Sequence, residues 1–357
     1  MYSSTYGISC AAEYGHVAVA ELLLSHSGID INQGTNYGHT PLMCAVVNGH
    51  IKVAQLLLSK SGIDMNKAVG EGSTSMTALR AAAMAGHAPC VQLLLSMSDI
   101  DIHQADTHGN TPLLYEAAKH GHVDVVRLLL AENDILINFT TQTTVETPLY
   151  VASQNGHVEV VRLLLSKSGI DINKTNHKGC TALYQASKYD NGKVVRLLLS
   201  KCSIDVNKAE DEGVTPLFIA CQNNHANVVM QLLDIEDIDV NQPMSSDTSN
   251  GCTPLIISTY LGHDTIVRLL LQHPGIDKAV TCNGKDAAQW AQANSRYAQW
   301  EMEGIEINVD GRSAIRTLFD GINAAGGEVK SGDNITARNN VKKKKKGKKK
   351  KSNKKRK

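Results

Sequence analysis

The sequence predicts an all-α solenoid, a row of helix-turn-helix units joined by extended loops and followed by a disordered basic segment. Three observations predict it. The stretch Thr147-Pro148-Leu149-Tyr150-Val151-Ala152 … Asn155-Gly156-His157-Val158-Glu159-Val160-Val161-Arg162-Leu163-Leu164-Leu165 recurs, with variations, eight times. Its turn histidine falls at His16, His50, His87, His122, His157, His225 and His263, with Asn191 in the sixth place, at intervals of 34, 37, 35, 35, 34, 34 and 38 residues. A unit that short cannot bury its own core, so stacked copies must share one.

Each element of the unit has a physical reason. Thr40, Thr111, Thr147, Thr215 and Thr253 are each followed by proline, a hydroxyl N-cap before a residue pre-set for the first helical position. About eight residues later Asn48-Gly49, His120-Gly121 or Asn155-Gly156 stops the first helix, because glycine accepts a left-handed backbone. The second helix ends in three leucines, as in Leu56–Leu58, Leu128–Leu130 and Leu163–Leu165. Such a triplet is too wide for one narrow stripe and suits a helix with neighbours on more than one side. Gly28-Ile29-Asp30-Ile31-Asn32 and its variants then lead into a polar loop, with Gly38, Gly109, Gly179, Gly213 or Gly251 just before the next cap.

These residues resemble the ankyrin repeat, whose Thr-Pro-Leu-His-x-Ala signature and 33-residue period they approach over roughly residues 6–280. The resemblance implies an ankyrin-repeat solenoid. The departures are local. Met43, Arg80, Tyr150, Tyr184, Phe218 or Ile256 stands where the signature has histidine, which removes the hydrogen bond that histidine makes. Asp190 and Asn224 replace the turn glycine, a tolerable change because Asx residues also visit positive φ. The fourth copy has one residue too many between Thr111 and His122, so its first helix is bulged or differently capped. The first copy starts at Tyr6 without Thr-Pro, as a terminal cap would.

Composition narrows the function classes. No apolar run reaches the length of a membrane span, and no basic region precedes an apolar stretch as in a signal peptide. The eight cysteines (10, 44, 90, 180, 202, 221, 252, 282) form no C-x-x-C pair. Cys10, Cys44 and Cys221 fall among the small residues of first helices, where a thiol acts as a small hydrophobe. The expectation is a reduced intracellular protein, nuclear, cytoplasmic or both, and not secreted. The two sequons at Asn138 and Asn334 are then empty.

Charge is unevenly divided. Residues 342–357 hold 13 of the 36 lysines and arginines and no acid, leaving the rest of the chain with 23 basic against 35 acidic side chains, a net −12. This polybasic tail (Lys342, Lys343, Lys344, Lys345, Lys346, Lys348, Lys349, Lys350, Lys351, Lys354, Lys355, Arg356, Lys357) has no apolar residue and is expected to be disordered alone. It reads as a nuclear localisation signal for an importin, a site for RNA or DNA phosphates, a membrane-surface anchor, or a solvated tail. No aromatic residue interleaves the lysines, so base stacking is not expected.

Residues 1–282 are read as the solenoid, 283–325 as degenerate capping repeats, 326–341 as linker and 342–357 as tail. In the capping segment Asp286 takes the N-cap place of a ninth copy, the stretch through Trp300 its second helix, and residues 310–319 a weaker tenth. A polar-faced cap is what the last apolar face requires.

Chemical motifs fail on inspection. The run 321–327 has P-loop glycine spacing, but Gly327 stands where the phosphate-binding lysine belongs. Residues 205–211 lack the sixth-position glycine of a calcium loop. Seven histidines sit at the repeat's turn, where capping or packing explains them, and His120 with His122 has no cysteine or carboxylate beside it to make a zinc site. The expectation is no enzyme, no cofactor, no metal and no small-molecule substrate.

What remains is recognition by a monomeric scaffold or adaptor. In ankyrin proteins the partner lies across the concave side, built from loop tips and the ends of the first helices. By that resemblance the partner-binding positions are the two before the turn residue: Tyr14, Val47, Asn48, Met84, Lys119, His120, Gln154, Asn155, Lys188, Tyr189, Gln222, Asn223, Tyr260 and Leu261. The loop tips add Asn36, Tyr37, His39, His108, Asn110, His177, Lys178, Asp211 and Glu212. Aromatic residues and methionine favour interfaces, which singles out Tyr14, Met84, Tyr189 and Tyr260. The long intervals place extra residues at 68–76 and 242–251, in loops of the binding face or as simple slack. Asn32, Asn173, Asn207 and Asn241 match a position hydroxylated in other ankyrin repeats. The alternative function is nucleic-acid association, with affinity supplied by the tail.

Overall fold

The computed structural model describes residues 5–69, 76–103, 113–141, 144–245, 251–292 and 308–326. The tail, the linker, most of the two long loops, His108, Asn110 and the stretch 293–307 lie outside the described residues. Two compact units are present, Met1–Thr317 and Leu318–Lys357.

Sixteen of the described helices form eight pairs: α1 (Thr5–Glu13) with α2 (Val17–Leu24), α3 (Pro41–Val47) with α4 (Ile51–Leu58), α5 (Ala78–Ala85) with α6 (Ala88–Leu95), α7 (Leu113–Lys119) with α8 (Val123–Ala131), α9 (Pro148–Gln154) with α10 (Val158–Leu165), α11 (Ala182–Lys188) with α12 (Gly192–Leu199), α13 (Pro216–Gln222) with α14 (Ala226–Leu233), and α15 (Pro254–Leu261) with α16 (Asp264–Gln272). Then come α17 (Ala287–Gln292) and α18 (Val309–Gly326). Each first helix packs on the first helix of the next copy, through to α17, and each second helix on the next second helix. No strand forms among the described residues, only isolated bridges such as Val69 with Met76.

The caps work as the hydroxyls imply. Thr40, Thr77, Thr147, Thr181, Thr215 and Thr253 accept hydrogen bonds from the backbone N–H three residues on, at 3.1–3.4 Å. α7 is described from Leu113, nine residues before its turn histidine, a spacing that matches α3 and α9, and it carries no bulge among the described residues; the cap at Thr111 lies outside them. That register makes Tyr115 the equivalent of Tyr150 and Tyr184, an identity hidden by counting forward from Thr111.

The turn histidines do not cap the second helix with their side chains. Their rings reach back one copy instead. Nε2 bonds the backbone oxygen of Glu13 (from His50), Met84 (His122), Lys119 (His157), Lys188 (His225) and Gln222 (His263), at 2.9–3.1 Å. Asn191 substitutes by donating its amide to Ser153 and Gln154 oxygens. A Cβ on Gly121 would stand 2.6 Å from His157 Nδ1, so glycine is needed there for space as well as for its φ of 73°. Asp190 and Asn224 adopt φ of 57° and 60°.

A second ladder runs along the other end of the copies. Asn32, Asn66, Asn138, Asn173, Asn207 and Asn241 each donate Nδ2 to a backbone oxygen of the next copy at 2.7 Å, and their Oδ1 accepts the N–H of the next copy's aspartate. Both ends of these amides are therefore occupied by the stack itself.

Two expectations about the core change. Cys44 and Cys221 are buried but Cys10 is exposed. Residues 310–319 form the first part of α18, one 18-residue helix, and not a tenth helix pair. Asp286 does cap α17: it accepts from Gln289 N at 2.8 Å while its own N–H donates to Gln289 Oε1 at 2.9 Å, a capping box.

Candidate protein-binding surface

The first helices end on one side of unit 1, beside the tips of the loops that precede them. Of the residues expected there, Tyr14, Asn36, Tyr37, His39, Val47, Asn48, Lys119, His120, Asn155, His177, Lys178, Tyr189, Asp211 and Glu212 are exposed, and Met84, Gln154, Lys188 and Asn223 are half-buried. Tyr37 is 85% exposed, Tyr14 66% and Tyr189 50%.

Three of the expected residues are not on the surface. Tyr260, Leu261 and Gln222 are buried. The reason lies in α17 and at the start of α18. Trp290 meets the Tyr260 ring edge-on at 5.6 Å, and the Arg312 guanidinium lies 4.7 Å from the ring centre. Arg312 Nε donates to the Tyr260 backbone oxygen, and Asn308 N to that of Leu261. Burial lowers the Arg312 pKa. Gln222 is covered by the stack, and its backbone oxygen pairs with His263. Asn155 and Asn223 are also committed internally, their amides donating to Lys119 and Lys188 oxygens.

The loop tips stack on one another. His177 Nδ1 lies 3.0 Å from Thr144 O, Asp211 N donates to Lys178 O at 3.1 Å, and Ser245 N donates to Glu212 O at 2.7 Å. Asn176 Oδ1 holds one tip by accepting from Lys178 N and Cys180 N, and Glu210 Oε1 does the same with Glu212 N and Val214 N. Most tips carry a positive-φ glycine two residues before the cap threonine, such as Gly179 and Gly213, but in the fifth copy that place is Val145, at φ 56°.

Between these tips and the ends of α9 and α11 lies a groove of ≈ 580 Å³. Gln154, His177, Lys178, Lys188, Tyr189, Asp211 and Glu212 line it together with Glu146, Tyr150, Asn176, Cys180, Tyr184, Gln185 and Glu210. Sequence reasoning missed the latter seven, because Tyr150 and Tyr184 occupy a position that reads as core. Tyr115 donates to Glu146 Oε2 at 2.7 Å. Tyr150 accepts from Asn176 Nδ2 at 3.0 Å and from Gln185 Nε2. Burial raises the pKa of Tyr115, Tyr150 and Tyr184 and pushes the Cys180 thiol up to about 11. Burial also raises the Glu210 carboxyl, against the pull of its two backbone N–H donors. Outside the groove, Arg80 and Glu116 form a buried ion pair at 3.4 Å. Glu116 also lies 3.7 Å from His120 Nε2, a carboxylate one helical turn away that sequence reasoning did not place beside that histidine.

The groove offers aromatic surface, hydroxyls and carboxylates, which is a vocabulary for binding. Among the described residues no group of three or more His, Cys, Asp or Glu is placed to hold a metal, and no helix is long and apolar enough to cross a membrane.

The family model for ankyrin repeats matches residues 4–69, 65–141, 136–210 and 201–282. Among solved structures, the chain is similar to the crystal structure of the human ASB11 ankyrin repeat domain, at 25% identity and a TM-score of 0.53, over 63% of this chain and 96% of that one. No curated protein matches the sequence. Ankyrin repeats mediate protein–protein interaction as a class, and by helix pairing, cap chemistry and family match this chain belongs to the ankyrin-repeat family.

Proposed function

We propose that the chain is a non-enzymatic protein-binding scaffold or adaptor whose partner lies across the first-helix ends and loop tips. One observation carries this reading. Tyr14, Tyr37, Val47 and Tyr189 are exposed along that side, while Tyr115, Tyr150 and Tyr184, deeper in the same stack, are buried. Exposed tyrosines on a rigid stack supply contact area at little entropic cost, which is how interface anchors work. Lys188 reinforces one of them, its Nζ lying 5.7 Å from the Tyr189 ring centre.

The polybasic run 342–357 favours a second reading, nucleic-acid association driven by the tail, or a nuclear address read by an importin. Salt separates it from the first. Tail-driven binding to phosphates collapses steeply as ionic strength rises, whereas an aromatic-centred protein interface weakens mildly.

The test is a paired affinity capture with the full chain and a 1–341 truncation, each with and without nuclease. Proteins retained by both after nuclease, and lost on Tyr189→Ala, support the scaffold. Partners lost with the tail or with nuclease move the function to the tail.

A further inference from the structure

The groove contains a polar group that the fold does not satisfy. Tyr184 is 7% exposed and lines the groove together with Tyr150, Cys180, Glu210 and Glu212, and its hydroxyl has no hydrogen-bond partner among the described residues. Its equivalents in the two preceding copies are both engaged, Tyr115 with Glu146 and Tyr150 with Asn176 and Gln185. In the next copy the equivalent of Glu146 is Val214, which offers no side-chain acceptor, and the equivalents of Asn176 and Gln185 are Glu210 and Ile219, neither of which is hydrogen-bonded to Tyr184. The ring is held by its burial while the hydroxyl opens onto the groove without a protein partner, so it is free to bond a ligand there.

The charge around it says which ligand. Glu146, Glu210, Asp211 and Glu212 line the same groove, against Lys178 and Lys188. Glu210 Oε1 accepts two backbone N–H groups, while its Oε2 has no partner among the described residues and is available. Four carboxylates repel an anion, and the polar lining does not suit an apolar anchor. A cation with several N–H donors matches both the carboxylates and the open hydroxyl. The ≈ 580 Å³ groove has room for an extended side chain and part of its backbone.

We propose that this groove is a subsite for a cationic side chain, arginine or lysine, presented by an extended segment of a protein partner. Glu210 Oε2 and the Tyr184 oxygen accept its N–H groups, and Glu146, Asp211 and Glu212 supply the surrounding negative field. The inference rests on the protein-binding reading of this side of the solenoid.

Fluorescence anisotropy on the full chain tests it, with a labelled Gly-Ser peptide carrying arginines at alternate positions as the probe. The same peptide with citrulline keeps the shape and removes the charge. The arginine peptide is expected to bind, and the citrulline peptide to bind at least about tenfold more weakly. Tyr184→Phe should weaken arginine-peptide binding several-fold with the melting temperature unchanged, since the deleted hydroxyl bonds nothing in the fold. Glu210→Gln should weaken it about tenfold. Glu159→Gln, an exposed carboxylate on α10 outside the groove, should leave it unchanged.

Equal binding of the two peptides, or equal losses from Glu210→Gln and Glu159→Gln, would overturn the subsite and indicate diffuse attraction to an acidic surface. If Tyr184→Phe melts early, the comparison of Glu210→Gln with Glu159→Gln decides the matter. Partner capture that survives Tyr184→Phe and Glu210→Gln but fails with Tyr189→Ala would sink the cationic subsite and leave the binding side standing.

Discussion

His263 shows how much a single side chain does here. Its Nε2 is bonded to Gln222 O, but its Nδ1 is buried without a partner among the described residues, and burial lowers its pKa from the ordinary 6.5. The folded state therefore resists protonating this ring, while the unfolded chain takes up the proton near its usual pKa. The stability from the neutral ring is present above pH 6.5 and is lost as the pH falls below that value. Urea midpoints at about pH 7.5 and about pH 5.5 should differ more for the native chain than for His263→Asn, which installs the non-titrating amide found at the equivalent Asn191. Val145 offers the opposite case. A β-branched residue at φ 56° sits where neighbouring tips have glycine, so Val145→Gly should raise stability by about 1 kcal/mol in thermal melts. Gly121→Ala should lower it by about 1–3 kcal/mol, from the left-handed backbone and the crowding against His157 together. The sequence shows Asp190 and Asn224 as turn replacements, and it shows the glycines. It does not show Val145 in the same light, because the irregular spacing around Thr141–Glu146 hides the register.

Within one helix, burial of the leucine triplet is unequal. Leu164 is fully buried, whereas Leu163 is half-exposed, on a helix that packs against its own first helix and both neighbouring second helices. Leu164→Ala should cost about 2–5 kcal/mol, and Leu163→Ala well under half of that, read from chemical denaturation of each variant. Helix existence, helix pairing and the threonine caps are all legible in the sequence, since hydroxyl, proline, turn glycine and leucines recur in one order. The proposed binding side is legible only in part. Tyr14 and Tyr189 stand where the repeat's period places them, but Tyr260 does not, because its cover comes from Trp290 and Arg312, beyond the last regular copy. The groove's hidden members are a similar case. Tyr150 and Tyr184 are core by depth and groove by orientation, a distinction no spacing rule makes.

Across the whole of unit 1, contacts join neighbouring copies, so damage should stay local. Trp290 is buried at the end of the stack, against Tyr260. Trp290→Ala should speed hydrogen exchange across 251–292 while leaving 148–199 protected, whereas a globular core would loosen throughout. The split between an acidic solenoid and a basic tail is fully legible from charge, and its purpose is not, since sixteen residues without an apolar side chain carry no packing information. The two ladders between copies have one more consequence. Most copies present an asparagine and a backbone acceptor to the copy after them, and a histidine ring or asparagine amide at the turn to the copy before them. The junction is therefore self-compatible, like a thread cut to one pitch. A copy excised by recombination, or duplicated in tandem, meets a matching face on either side, so the length of such a chain is free to drift over generations while its architecture persists.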